Sequence, residues 1–217
     1  MKVSELVSVL RTAKTIEDIE QHREEILDLI PDARIIVGYD QQNRTHQYDL
    51  WEHSLHTVMN LPKDLEDDMV YLAALLYDIG KPDCQSVDYY EGNINMHYYG
   101  HPERSEEIVR ERVIPLLDLP DDEKRRLLYY VRYHDDRVSL RIKHLRRHLN
   151  MGASLEEFQT LMHLEVADAK AHVMIPVIED RIEFCGQWAG EYGKKAYMVI
   201  VNESKNELRG IKDDSQF

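Results

Sequence analysis

Helical periodicity runs through most of the sequence, and it is the feature that most constrains the fold. Apolar residues recur at i, i+3, i+4 and i+7 in one segment after another, separated by capping residues, Gly and Pro. About Ser4 to Leu29 reads as one or two amphipathic helices, with a fresh start at Thr15-Ile16-Glu17-Asp18 and a stop at Pro31. Residues 32–47 read as loop. Asp49 and Glu52 form a capping-box pattern that opens a helix through His53 and His56 to about Leu61. A second helix starts near Asp64. Its buried face is marked by Met69, Leu72, Ala73, Leu76 and Ile79, and Gly80 and Pro82 supply the stop. Further helices are expected at about Pro102–Leu117, Asp121–Tyr133, Ser139–Leu149, Ser154–His172 and Val177–Tyr192, with residues 83–100 as a Tyr-containing loop. The run Tyr197-Met198-Val199-Ile200-Val201 is β-prone and fits a short strand, a helix end or a docking arm; beyond Asn202 the tail reads as polar and loose. The fold class is therefore all-α, with a short strand allowed in the C-terminal tail. The expected organisation is an N-terminal helical segment over 1–31, a main domain over 32–195 and a tail over 196–217.

Composition narrows the function. The 217 residues carry 41 Asp and Glu against 27 Lys and Arg, a formal charge of −14. Such a chain repels phosphate backbones, so nucleic acid is a disfavoured partner. Arg141, Lys143, Arg146 and Arg147 form a local basic cluster near His144 and His148, which reads as a solvated helix face. The two cysteines, Cys84 and Cys185, cannot build a disulfide framework and read as free thiols. No signal peptide and no apolar run of membrane-spanning length is seen, so the expected location is the cytoplasm and no membrane is involved.

The chemistry sits in a few acids and imidazoles. Asp78 lies in the last turn of an apolar helix, where the helix dipole opposes a carboxylate by about 0.3–1 kcal/mol. A buried acid in that field wants a cation. Asp168 lies mid-helix among small residues, in Leu164-Glu165-Val166-Ala167-Asp168-Ala169, and must be paired, either with a metal ion or with an arginine. Two consecutive helices with a short connection pack antiparallel, which brings His53, near the start of one, beside Asp78, at the end of the next. His101 opens a helix and His134 closes another. Carboxylate and imidazole ligands together suit Mn, Fe, Zn, Ni or Co, as one or two ions, better than Ca. His22, His144, His148, His163 and His172 read as surface or satisfied core residues.

These residues carry a resemblance. His53, then Tyr77-Asp78-Ile79-Gly80-Lys81-Pro82, then Asp168 resembles the HD superfamily of metal-dependent phosphohydrolases, with Tyr77 where the family has His. Val37-Gly38-Tyr39-Asp40-Gln41, Asn43, His46, Asp49-Leu50-Trp51-Glu52-His53, Tyr98-Tyr99-Gly100-His101, Tyr133-His134-Asp135 and Ala167-Asp168 are similar to the HD region of bacterial CCA-adding tRNA nucleotidyltransferases and their stand-alone relatives. The resemblance spans roughly residues 35–175. It implies an all-helical HD-domain bundle in which His53, Asp78 and Asp168 hold one ion and Asp78 bridges to a second on His101 and His134. It further implies water activated against a small phosphorylated metabolite or nucleotide, with Lys81 approaching the phosphate or remaining a solvated charge. Asp135 or a second-layer histidine would shuttle protons. Tyr77 leaves three outcomes open: a weakly held first ion with His56 or water filling the gap, a single ion shifted toward His101 and His134, or lost catalysis. A degenerate domain that binds a nucleotide or protein without turnover is the alternative to an enzyme, and a metal-free helical interaction protein is the third reading. The nucleotidyltransferase head has no counterpart, which excludes CCA addition.

Overall fold

The computed structural model describes the backbone of residues 1–42, 45–90 and 93–214, and the side chains of these apart from 90, 93–95, 204 and 206–214. Asn43, one of the residues behind the resemblance, lies outside the described residues. About 67% of the chain is helical, so the class is all-α. In order the helices are α1 Val3–Thr12, α2 Glu17–Glu20, α3 Arg23–Leu29, α4 Leu50–Asn60, α5 Met69–Leu76, α6 His101–Ile108, α7 Asp121–Tyr133, α8 Ile142–Asn150, α9 Leu155–Lys170, α10 Pro176–Ala189 and α11 Glu191–Asp214. No described helix is long and apolar enough to cross a membrane.

The centre of the fold is α5. All eight of its residues are buried, because α1, α4, α7 and α9 pack around it. A helix without a polar face must be wrapped in this way. The expected cap at Asp49 is present, its side chain accepting from the Glu52 N–H. The Ser154–Glu157 capping box is reciprocal and starts α9. The small residues flanking Asp168 do admit a neighbouring helix: Asn60 of α4 donates to the Ala167 carbonyl at 3.0 Å.

Three expectations need correction. Residues 83–100 are not a plain loop. They contain an antiparallel hairpin, β1 Ser86–Tyr90 and β2 Asn93–His97, in register Ser86 to His97. Residues 31–36 form a 3₁₀ turn, Pro31–Ile36, rather than loop. The β-prone run 197–201 is not a strand; it lies inside α11. Ala196 is buried, and Tyr192, Tyr197 and Ile200 pack against the core beside it, so this segment presents one apolar stripe at helical spacing. That periodicity overrides the β-branched composition. The helix also continues past Asn202, to Asp214.

Two glycines set up the site. Gly80, just past α5, sits under the first turn of α6: a Cβ there would lie 2.6 Å from the Ser105 backbone N and 2.9 Å from the His101 carbonyl oxygen. Its own N–H donates to Ser105 Oγ at 2.9 Å. Only glycine lets the end of α5 and the start of α6 come this close. Gly100, at φ +80°, makes the left-handed turn into α6.

Leu72, fully buried in α5, tests the wrapped-helix description. Leu72→Ala should lower unfolding stability by about 2–5 kcal/mol in denaturant titration. Tyr89→Ala, at a residue 76% exposed on the hairpin, should stay within about 0.5 kcal/mol of the parent.

Candidate metal centre

The end of α5, the start of α6 and the end of α7 meet at one point, and each brings one acceptor atom there. His101 Nδ1 lies 2.9 Å from the Tyr98 carbonyl oxygen, and His134 Nδ1 lies 2.8 Å from the Val131 carbonyl oxygen. A carbonyl only accepts, so in both rings Nδ1 carries the proton and, in the neutral ring, Nε2 is a lone pair. The two Nε2 atoms face each other at 3.1 Å. Asp78 Oδ1 lies 3.1 Å from His101 Nε2 and 3.4 Å from His134 Nε2. Three acceptors thus form a small triangle with all three residues buried. Neither Asp78 carboxylate oxygen has an aligned hydrogen-bond donor.

Such a triangle is repulsive unless a positive charge enters it, either a proton on one imidazole Nε2 or a metal ion. Ligand atoms held about 2.0–2.2 Å from one ion at angles of ~90–110° are separated by about 3.0–3.5 Å. The observed sides fall in that range, so these residues can hold a metal ion. The two backbone carbonyls behind the imidazoles fix the tautomer a ligand needs. Burial pushes the Asp78 carboxyl up, but Lys81 and the two imidazoles hold it well below the usual carboxylate range. Burial pushes His134 down, and Asp78 more than offsets this, leaving its pKa raised.

Around the triangle the other expected residues fall as follows. Lys81 is not a solvated charge: it is buried, 2.8 Å from Asp78 Oδ2, and donates to Gln41 Oε1 at 2.9 Å. His53 and Asp168 do converge with Asp78, their ligand atoms lying within 4.8 Å of one another. The antiparallel α4–α5 reading therefore places His53 correctly. Asp168, however, is already satisfied by protein. Its Oδ1 accepts from Tyr77 OH at 2.8 Å and from His53 Nε2 at 2.9 Å, and its Oδ2 accepts from Arg181 Nη1 at 3.0 Å. Of the two partners weighed for Asp168, a metal ion and an arginine, the arginine is the one present. His56 does not fill a gap; its ring stacks on Tyr48 at 3.9 Å. Asp135 is exposed, on the wall of the same cavity of about 300 Å³, 3.8 Å from Arg181 Nη2.

Three participants were missed. His172 is not mere surface or satisfied core. It donates from Nδ1 to the Asp168 carbonyl oxygen at 2.9 Å, and its ring packs on His53 and His46. Its i+4 spacing from Asp168 was the available signal. His46 is held neutral, its pKa pushed down to about 2 by burial and by the Lys81 charge. Arg181 of α10 ties the site together: beside Asp168 it donates to the His134 carbonyl oxygen at 2.8 Å and lies 3.4 Å from Glu165. Nothing local in the sequence marks it. His148 is a satisfied core residue, beside Tyr129 OH at 2.9 Å, and the cysteines are free, as expected; His144 is buried too, but its Nε2 has no partner among the described residues.

No family model matches the sequence, and no curated protein matches it.

Glu165 gives a pH test. It is fully buried, one oxygen has no partner, and its guanidinium neighbour is committed to Asp168. Burial therefore prevails over Arg181, and its pKa is raised well above 4.5. A raised acid binds its proton more tightly folded than unfolded, so its stabilising contribution is lost as pH rises above the unfolded value. Denaturant titrations from pH 5 to 8 should show Glu165→Gln gaining stability relative to the parent as pH rises; a difference that is flat or falls contradicts this.

Proposed function

We propose that this chain is a cytoplasmic, HD-type phosphohydrolase that works with one divalent transition-metal ion held by Asp78, His101 and His134. The observation that carries the reading is the triangle of three converging acceptors. The resemblance over residues 35–175 supplies the reaction class, hydrolysis of a small phosphorylated metabolite or nucleotide.

The charges around the cavity support it. Asp78, Asp135 and Asp168 line it together with two cations, Lys81 and Arg181, while His46 and His172 are kept neutral. With the His101 and His134 rings neutral, as ligands must be, the acids outnumber the cations by one, which attracts a divalent ion. With that ion the balance turns positive and suits a phosphate dianion. Mn, Fe, Zn, Ni and Co fit the mixed nitrogen and oxygen donors. When bound, the ion would polarise a phosphoryl oxygen and acidify a water molecule. Lys81 holds Asp78 ionised and in place. Asp135, exposed at the wall, is placed to take a proton at its carboxylate and pass it to solvent. His53, Tyr77 and Arg181 together hold Asp168 rigid behind the centre.

One observation favours the second reading, a domain that binds without turnover. Tyr77 and Arg181 occupy the Asp168 carboxylate, so the His53 and Asp168 pair is closed by protein contacts rather than open to a cation.

Purified protein assayed with Mn²⁺ or Co²⁺ on a panel of phosphomonoesters should show turnover. Asp78→Asn should lower kcat/KM by at least about 100-fold, the scale of losing one electrostatic group at a reacting centre. Metal bound stoichiometrically with no turnover on the panel, and turnover gained by Tyr77→His, would favour the binding domain instead.

A further inference from the structure

Of the basic cluster read from the sequence, Arg141, Lys143 and Arg147 are exposed, as a solvated face would be, and share a groove with Arg137, while Arg146 pairs with Glu203. Arg137, Arg141, Lys143 and Arg147 line one concavity of about 510 Å³, with Val138, Ser139 and His144 as the rest of its wall. No carboxylate lines it, in a chain with 41 Asp and Glu. The four cations are exposed. Arg147 pairs with Asp136. Among the described residues Arg137, Arg141 and Lys143 have no ion pair, although most other described cations do.

The backbone at this groove is also set against itself. α8 begins here, with Arg141 at the cap position, no side-chain cap and no acidic residue in the first turn. The positive end of a helix dipole, with its free N–H groups, therefore meets Arg141 and Lys143 instead of an acid. That arrangement costs stability in the free chain. A separate observation points the same way. His144 lines the groove yet is only 6% exposed, and its Nε2 is buried without any hydrogen-bond partner. Burial and the neighbouring His148 push its pKa down to about 4, so it stays neutral near pH 7 and can donate from Nε2 in one tautomer.

We infer that this groove is a binding site for a small polyphosphate group, separate from the metal centre. Forked guanidinium donors, a compact ammonium and helix N-terminal N–H groups are the donor set that a multiply charged phosphate accepts from. The net charge of −14 and the small volume favour a small anion over a nucleic-acid backbone. The site is joined to the centre through the chain: Arg137 lies three residues beyond His134.

Trp188 offers a built-in reporter. It is buried, its indole N–H donates to the Ser139 carbonyl oxygen at 3.0 Å, and its ring lies 6.0 Å from that of His144. Inorganic triphosphate should be titrated against tryptophan fluorescence in excess EDTA, which keeps metal-centre binding out of the signal. The expected result is saturable binding that weakens with salt, falls at least about 10-fold in Arg141→Ala and in Lys143→Ala, and is unchanged in Asp78→Asn. Without ligand, Lys143→Glu should raise Tm by about 1–3 °C by relieving the dipole clash. Binding that is absent in the parent, unaffected by Arg141→Ala and Lys143→Ala, or lost in Asp78→Asn overturns the inference. A Tm for Lys143→Glu below that of the parent also counts against it.

Discussion

The structure turns on three lone pairs that point at one another. Asp78 Oδ1 and the Nε2 atoms of His101 and His134 come from three helices and are held within 3.4 Å. Side chains free to choose would not sit this way. They are held by what lies behind them: carbonyl oxygens lock both imidazoles, and Gly80 lets α6 close onto the end of α5. The fold therefore gathers three ligand atoms that need a positive charge between them, which a proton on one imidazole or a metal ion can supply. The apolar wrapping of α5 is what keeps Asp78 from escaping into water.

The neighbouring acid takes another route to the same end. Asp168 is neutralised by Arg181 and held by Tyr77 and His53, all of them protein donors. Of the two buried carboxylates of the cavity, Asp168 is thus closed within the protein, and Asp78 faces Lys81 with one oxygen and could meet a metal ion with the other. Arg181 couples the two, because it also grips the His134 carbonyl. The basic groove at the start of α8 shows the converse: Arg147 apart, its cations have no carboxylate partner among the described residues.

Much of this was legible in the sequence, because it follows from helix periodicity and loop length. The order of helices, the convergence of His53 with Asp78 and the buried position of Asp168 all come from where apolar stripes run and where they stop. The short connection between α4 and α5 leaves few ways to pack them. What was not legible depends on distant side chains. Arg181 lies thirteen residues past Asp168 on another helix, and only the α9–α10 packing brings them together. His46 sits in a loop, where no periodicity fixes direction. The C-terminal run 197–201 misled because β-branched composition and helical spacing coexist there, and tertiary contact decided between them. The resemblance located the residues, but the division of labour between two acids is a property of hydrogen bonds, which a motif does not contain.

The central claim is that a positive ion belongs between Asp78, His101 and His134. Anomalous X-ray diffraction from crystals grown with Mn²⁺ or Co²⁺ tests it most directly. One peak is expected, roughly 2.0–2.3 Å from Asp78 Oδ1 and from both Nε2 atoms, with Arg181 still on Asp168. A peak bound instead by His53 and Asp168, or no peak at saturating metal, would contradict it.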